Sequence, residues 1–249
     1  MSKKLRALMT AVITMSFVFG FAVYANAMHI MEGYLKPSHC IVWGVLCIPF
    51  LVVGFISLNK KLAENRKNIT LIAVAGAFIF VISSLKIPSV TGSCSHMTGT
   101  GLGAILFGAS SVSVLGIIVL IFQAILLAHG GLTTLGANTF SMAIAGPFLS
   151  MAIFKLCKKL GVNRFVAIFL AAALGDLFTY CVTSFQLAIA YPSDGGILVS
   201  AAKFLGVFAP TQLPLGILEG VITVLVIAGL ENYAPVELKR IGFLNDKKA

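Results

Sequence analysis

The sequence predicts an all-α polytopic membrane protein, with about seven transmembrane helices that follow a cleaved signal peptide. Three observations predict it. First, 59% of the 249 residues are hydrophobic and 10% are charged, with a mean hydropathy of +1.02; an ordinary soluble domain carries about 25% charged residues. Second, several apolar runs reach about 18 residues or more, enough to cross hydrocarbon as helices. Third, the basic residues stand in short clusters beside those runs: Lys60, Lys61, Arg66 and Lys67, then Lys155, Lys158, Lys159 and Arg164. That distribution fits topology signals, so the net charge of +10 points to membrane lipid as the surroundings and to no nucleic acid.

Residues 1–27 read as the signal peptide. Lys3, Lys4 and Arg6 form a positive start, Leu8 to Tyr24 an apolar run of 17 residues, and Ala25-Asn26-Ala27 an A-x-A cleavage site. The apolar run is long enough that an uncleaved anchor helix is the alternative. Cleavage leaves residues 28–249 as a single transmembrane domain starting Met28-His29-Ile30. Its spans are predicted near 40–58, 69–87, 101–110, 112–129, 136–157, 164–191 and 211–230. The third is short and glycine-rich, as irregular backbone buried within protein would be. Residues 192–210 read as the longest outer connection, holding an amphipathic segment at the interface.

With the mature N-terminus outside and the C-terminus cytoplasmic, the loops near 59–68, 154–164 and 231–249 face the cytoplasm. They contain every mature Lys and Arg except Lys36, Lys86 and Lys203, which agrees with the positive-inside rule and with an external, cleaved N-terminus.

Several chemistries are excluded. No G-x-x-x-x-G-K-[ST] stretch is present to cradle ATP phosphates, no H-E-x-x-H to hold a catalytic zinc, and no haem-attachment motif. The five cysteines form no C-x-x-C pair. A membrane-embedded metalloenzyme or redox protein therefore has little support, and a passive metal channel is the other rival.

The four histidines are His29, His39, His96 and His129. A mature terminus of Met28-His29 offers the α-amine, the intervening amide nitrogen and the His29 imidazole, which together close two fused chelate rings around one metal. Ni²⁺, Cu²⁺ and, in a strong ligand field, Co²⁺ promote loss of the amide proton, and three in-plane nitrogens favour planar or tetragonal geometry. The fourth corner needs another imidazole. The plain alternative is that His29 is a polar residue at an exterior terminus with no ligand role. His96 lies in SVTGSCSHMTGTGLG (89–103), a helix-breaking stretch whose place at membrane depth requires burial or a cavity. It is a candidate donor or a loop hydrogen-bonder; Cys94 is a competing soft ligand or a small packed thiol. His129, in AHGGLTTLGANTF, either supports the metal site from behind or interacts with helix-end carbonyls. His39 reads as interfacial. Asp176 and Glu219 fall within the sixth and seventh spans, where acids must be paired or water-facing. Membership of an ion pathway is one reading; interhelical ties to Gln123, Gln186 or Thr183 are the favoured one. Gly216 and Gly220 form a G-x-x-x-G packing signal.

MHIMEGYL behind a signal peptide, GSCSHMTGTGLG, AHGGLTTLGANTFSMAIAGP, LGDLFTYCVTSFQLA and TQLPLGILEG together resemble the CbiM cobalt-transport family. These are substrate-binding membrane subunits of energy-coupling factor transporters, similar to the nickel-specific NikM subunits. The resemblance extends over essentially all of residues 28–235. It implies a seven-helix bundle in a bacterial or archaeal cytoplasmic membrane that binds Co²⁺, or Ni²⁺, through its processed N-terminus. Carried over, the ligands are the Met28 amine, the His29 amide and imidazole, and the His96 imidazole. His129, Asn138 and Cys94 are the candidates for outer support. The resemblance also implies a transmembrane coupling subunit, cytoplasmic ATPase subunits and a small auxiliary membrane subunit as partners, and cobalamin biosynthesis as the destination of the metal. N-terminal sequencing of the purified chain is expected to begin Met-His-Ile; a readout beginning at Met1 would sink the signal-peptide assignment.

Overall fold

The computed structural model describes residues 26–27, 29–88 and 93–244, with the backbone alone at 26, 27, 87, 88, 93 and 94. Residues 1–25 of the expected signal peptide, and Met28, lie outside the described residues.

Each expected span contains a helix: α1 (Pro37–Glu64), α2 (Asn68–Ser84), α3 (Thr100–Phe107), α4 (Ala109–Leu127), α5 (Leu135–Lys159), α6 (Arg164–Ala190) and α7 (Ile197–Tyr233). A short α8 (Pro235–Arg240) follows. Among the described residues, five helices are long and apolar enough to cross a membrane (α1, α4, α5, α6 and α7), and α2 is a shorter apolar helix. The surface explains why so much hydrophobic sequence is tolerable. Only 11% of the most apolar window of α1 is buried in protein, and Ile41, Val45, Ile48, Val52, Phe55 and Ile56 are exposed along it. A face of that kind in water would aggregate, whereas in lipid it is the solvated state.

The interior follows the opposite rule. Every residue of α3 is buried, and α3 packs against α4, α5 and α6. It is the short, irregularly flanked span expected from the sequence, and burial in protein is what permits its broken backbone. Gly101 lets it seat: a Cβ there would stand 2.9 Å from Ala172 Cα. Buried polar side chains then tie helices together. Gln123 Nε2 on α4 donates to Ser83 Oγ on α2 at 2.7 Å, and Gln186 Nε2 on α6 donates to Ala137 O on α5 at 3.1 Å. Seven consecutive residues of α5, Thr139–Ala145, take the wider π-helical form, a feature that tends to occur at functional sites.

Among the described residues, helices α6 and α7 share the most extensive packing. The G-x-x-x-G pair belongs to it: a Cβ at Gly216 would meet Leu177 Cγ at 3.0 Å, and one at Gly220 would meet Phe169 Cδ2 at 2.7 Å and its carbonyl oxygen at 3.0 Å. Small residues here allow two backbones to approach, the usual source of helix affinity in lipid.

One expectation needs correction. Residues 197–210, expected within an outer connection, are the first turns of α7, which runs unbroken for 37 residues through Pro210 and Pro214. Proline removes one hydrogen bond and crowds the preceding turn, yet in membrane helices neighbouring groups restore the balance. The two prolines masked the continuity in the sequence.

Three very short strands complete the described chain: β1 (Asn26–Ala27), β2 (Ile87–Pro88) and β3 (Ser93–Ser95). β3 pairs parallel with β1 (Asn26 opposite Ser93, Ala27 opposite Cys94) and antiparallel with β2 (Ile87 opposite Ser95).

Gly220→Val is expected to destabilise the α6–α7 contact by about 1–3 kcal/mol, the usual cost of overpacking. The thermal unfolding midpoint in detergent measures it. Gly206→Ala, at a helical position with open space around it, should leave the midpoint unchanged or raise it slightly.

Candidate metal centre

The centre is assembled from an N-terminal segment and two connections between helices. Residues 29–36 enter from the N-terminus, 96–99 precede α3, and 128–134 join α4 to α5. An extended segment inside a lipid-facing bundle needs partners for its peptide groups. Asn138 in the first turn of α5 supplies them. Its Oδ1 accepts from Ile30 N at 2.8 Å and its Nδ2 donates to Ile30 O at 3.0 Å, while Thr134 Oγ1 donates to the same carbonyl at 2.6 Å. Farther out, Gly33 N donates to Thr133 Oγ1 at 3.1 Å, Thr133 N donates to Glu32 Oε2 at 3.2 Å, and the Tyr191 hydroxyl donates to Tyr34 O. Glu32, close to solvent, has its carboxyl held below the usual range by the Thr133 hydrogen bonds.

The second connection is held from α6 and α7. Glu219 accepts from Thr98 N at 2.6 Å and from Thr98 Oγ1 at 2.9 Å. Gln212 Nε2 donates both to His96 O, at 3.2 Å, and to Asp176 Oδ2, at 2.6 Å. The two buried acids are therefore ties, as expected, but their partners are Gln212 and Thr98 rather than Gln123, Gln186 or Thr183. Helix rotation, which spacing leaves open, decides the pairing. Thr183 instead bonds within its own helix to Thr179 O.

These restraints bring three imidazoles together. His29, His96 and His129 are 3%, 0% and 1% exposed, and their donor atoms lie within 4.8 Å of one another. His96 Nε2 stands 2.6 Å from His29 Nδ1, and His96 Nδ1 faces Met97 O at 2.9 Å. The ring centroids of His29 and His129 are 4.5 Å apart, and those of His96 and His129 4.9 Å. Burial holds all three rings well below the usual imidazole pKa, and the other histidines add to this at His29 and His129. A neutral ring keeps a lone pair for a metal.

Of the residues singled out from the sequence, His29 and His96 are thus adjacent, and His129 and Asn138 border them. Cys94 pairs by its backbone with Ala27 and Pro88; its side chain, like Met28, lies outside the described residues. His39 is in the first turn of α1, half-buried and away from the cluster. Sequence reasoning missed Thr98, Thr134 and Gln212 as supports. The helix-breaking runs around the first two, and the rarity of a glutamine in an apolar span, were the available signals.

A polytopic helical bundle that brings three buried imidazoles together defines a membrane protein with a candidate transition-metal centre. The chain belongs to the CbiM family: residues 29–237 match the family described as "Cobalt uptake substrate-specific transmembrane region". It is 65% identical to the cobalt transport protein CbiM of Lachnoclostridium phytofermentans, over 98% of each chain. It is 55% identical to that of Ruminiclostridium cellulolyticum, over 94% of this chain and 95% of the relative. Its fold is similar to the crystal structure of a truncated transition metal transporter, with a TM-score of 0.73 and 29% identity over 82% of this chain and 99% of the other. The chain is thus a cobalt-uptake membrane component.

Asn138→Ala leaves Ile30 N without its acceptor and Ile30 O with Thr134 Oγ1 as its remaining donor, at about 1–3 kcal/mol for the buried group left unsatisfied. It is expected to raise amide hydrogen exchange through residues 30–35 and to weaken Co²⁺ binding about 10-fold or more. Unchanged exchange at Ile30 would show that the segment is held elsewhere.

Proposed function

We propose that this chain is the substrate-specific membrane subunit of an ATP-driven energy-coupling factor importer, taking up Co²⁺ for cobalamin biosynthesis. The mature N-terminus is outside and the C-terminus cytoplasmic. The ion is bound by the Met28 amine, the His29 amide and imidazole nitrogens, and the His96 imidazole. Ni²⁺ suits the same four nitrogens.

The observation that supports this reading most is the 2.6 Å separation of His29 Nδ1 and His96 Nε2. Two nitrogens at neighbouring corners of an ion, each about 2.0 Å from it, stand about 2.8 Å apart. Two imidazoles meeting edge to edge at that spacing, each belonging to a segment with its own hydrogen-bonded anchor, are suited to neighbouring corners. Membership of a cobalt-uptake family and the position of His29 directly behind the expected cleavage site agree with it.

The mechanism follows from the donors. Entry of Co²⁺ strips its water and displaces protons from the amine and from the His29 amide, so binding and proton release are linked. A donor set of this strength does not let go unaided. Release inside requires distortion of the site, and this chain carries no phosphate-binding motif of its own. Cytoplasmic ATPase subunits, acting through a transmembrane coupling subunit and with a small auxiliary membrane subunit, supply that work.

The test is uptake and binding of Co²⁺ by His29→Ala and by a chain with one alanine inserted between Ala27 and Met28. His29→Ala removes the imidazole and its chelate ring and is expected to lose binding by more than about 100-fold. The inserted Ala-Met-His terminus can fill four corners by its own amine, two amides and imidazole, so it is expected to lose uptake and the dependence of binding on His96. The insertion discriminates more sharply. If N-terminal sequencing shows the extra alanine retained and uptake persists, the amine ligand is wrong.

A further inference from the structure

We propose that Asp176 and Glu219 hold one proton between them, carried by Asp176. Asp176 then positions the loop bearing His96 as a neutral hydrogen-bond donor, and Glu219 supplies the single negative charge behind it. The protonation is argued from the carboxyl contacts; only its effect on cobalt rests on the reading above, through His96 as a ligand.

The helix seam forces the two acids together. Asp176 lies on α6 and Glu219 on α7, and each is 1% exposed. Gly216, three residues before Glu219, lets α7 close on α6: a Cβ there would meet Leu177, the neighbour of Asp176, at 3.0 Å. The two carboxyl groups are left in hydrogen-bond contact with each other. Their other partners are Thr98, Gly99 and Gln212, none of them a cation. Two ionised carboxylates offer only lone pairs and like charge, so they cannot bond one another. At membrane depth no bulk water screens that repulsion. One proton turns the contact into a hydrogen bond and halves the buried charge.

The remaining contacts say which acid carries it. Glu219 uses both oxygens as acceptors: Oε2 takes Thr98 N at 2.6 Å and Oε1 takes Thr98 Oγ1 at 2.9 Å. Asp176 uses one. Its Oδ2 accepts from Gln212 Nε2 at 2.6 Å, whereas Oδ1 is buried and receives no hydrogen bond among the described residues. An orphaned acceptor is costly, but the same oxygen carrying hydrogen is a donor with Glu219 beside it. A carboxyl kept neutral by its surroundings so that it can donate is an established way for one acid of a buried pair to serve the other.

The consequence falls on the loop. Donation from Asp176 holds Glu219 in place to receive both Thr98 groups, and Gln212 Nε2 joins Asp176 to His96 O at 3.2 Å. His96 is thereby fixed from its own carbonyl and from two residues downstream. A second negative charge at Asp176 would push Glu219 off Thr98 and release one of those restraints. Outer partners that orient a ligating ring commonly govern metal affinity as strongly as this.

The experiment uses the full chain in detergent at neutral pH, first without metal. Its infrared spectrum is expected to show the C=O stretch of a protonated carboxyl that shifts when the chain is grown on ¹³C-carboxyl aspartate and is absent from Asp176→Asn. Asp176→Ala should raise amide exchange at Thr98 and weaken Co²⁺ binding, each about 10-fold. Asp176→Asn, whose amide donates to Glu219 and accepts from Gln212, should bring both back to within about 2-fold of wild type. Glu219→Gln offers the two Thr98 donors one acceptor oxygen and should raise Thr98 exchange about 10-fold. A merely space-filling role would not separate the alanine and asparagine variants in this way. If the variants fail to fold, the labelled wild-type spectrum still decides. No protonated-carboxyl band overturns the inference, as does a band that follows labelled glutamate, or an asparagine variant as defective as alanine. The aspartate band together with Co²⁺ binding that ignores His96→Ala upholds the protonation and overturns the proposed ligand set instead.

Discussion

The seating of Ile30 on Asn138 is the contact on which the candidate metal centre depends. A chain end that enters a lipid-facing bundle brings peptide groups that water no longer satisfies. A carboxamide offers one acceptor and two donors on a short stem, so Asn138 stands in for a neighbouring strand, accepting from Ile30 N and donating to Ile30 O. With Thr134 on the same carbonyl, the segment has one depth and one rotation. His29 is then delivered to His96 without choice. An alanine at position 138 would leave Ile30 N without its acceptor and Thr134 alone on the carbonyl.

The opposite wall of the centre depends on the tightest helix pair. Gly216 and Gly220 let α7 lie close along α6, and the same two helices carry Asp176, Gln212 and Glu219. Through Gln212 and Glu219 they hold His96 O and Thr98. Lipid-facing apolar surface, small-residue packing and buried polar ties thus form one chain of dependence. The hydrophobic residues place the bundle in the membrane, glycines set the spacing of its helices, and that spacing brings the polar side chains within reach of the loop.

How much of this was legible differs by element. All seven expected segments contain helices, because hydrocarbon thickness constrains length directly. The short α3 was readable from its glycines. The N-terminal half of α7 was not, since Pro210 and Pro214 mimic a boundary and only packing against α6 shows that the helix continues. His29 and His96 were singled out by chelate chemistry, by a helix-breaking context and by family resemblance. Thr98, Thr134 and Gln212 were missed because threonine and glutamine are ordinary residues whose importance lies in what stands opposite them.

The sequence by itself determined the class of protein, the approximate place of its spans and the candidate donors, since composition, length and nitrogen chemistry are properties of residues taken singly or in short runs. Tertiary structure alone decided that His129, which is 100 positions from His29, belongs in the same cluster, and that Asp176, through Gln212, and Glu219 tie α6 and α7 to the loop carrying His96. Those are relations between helices, set by rotation about each axis and by close approach at glycine. No local pattern along the chain encodes either.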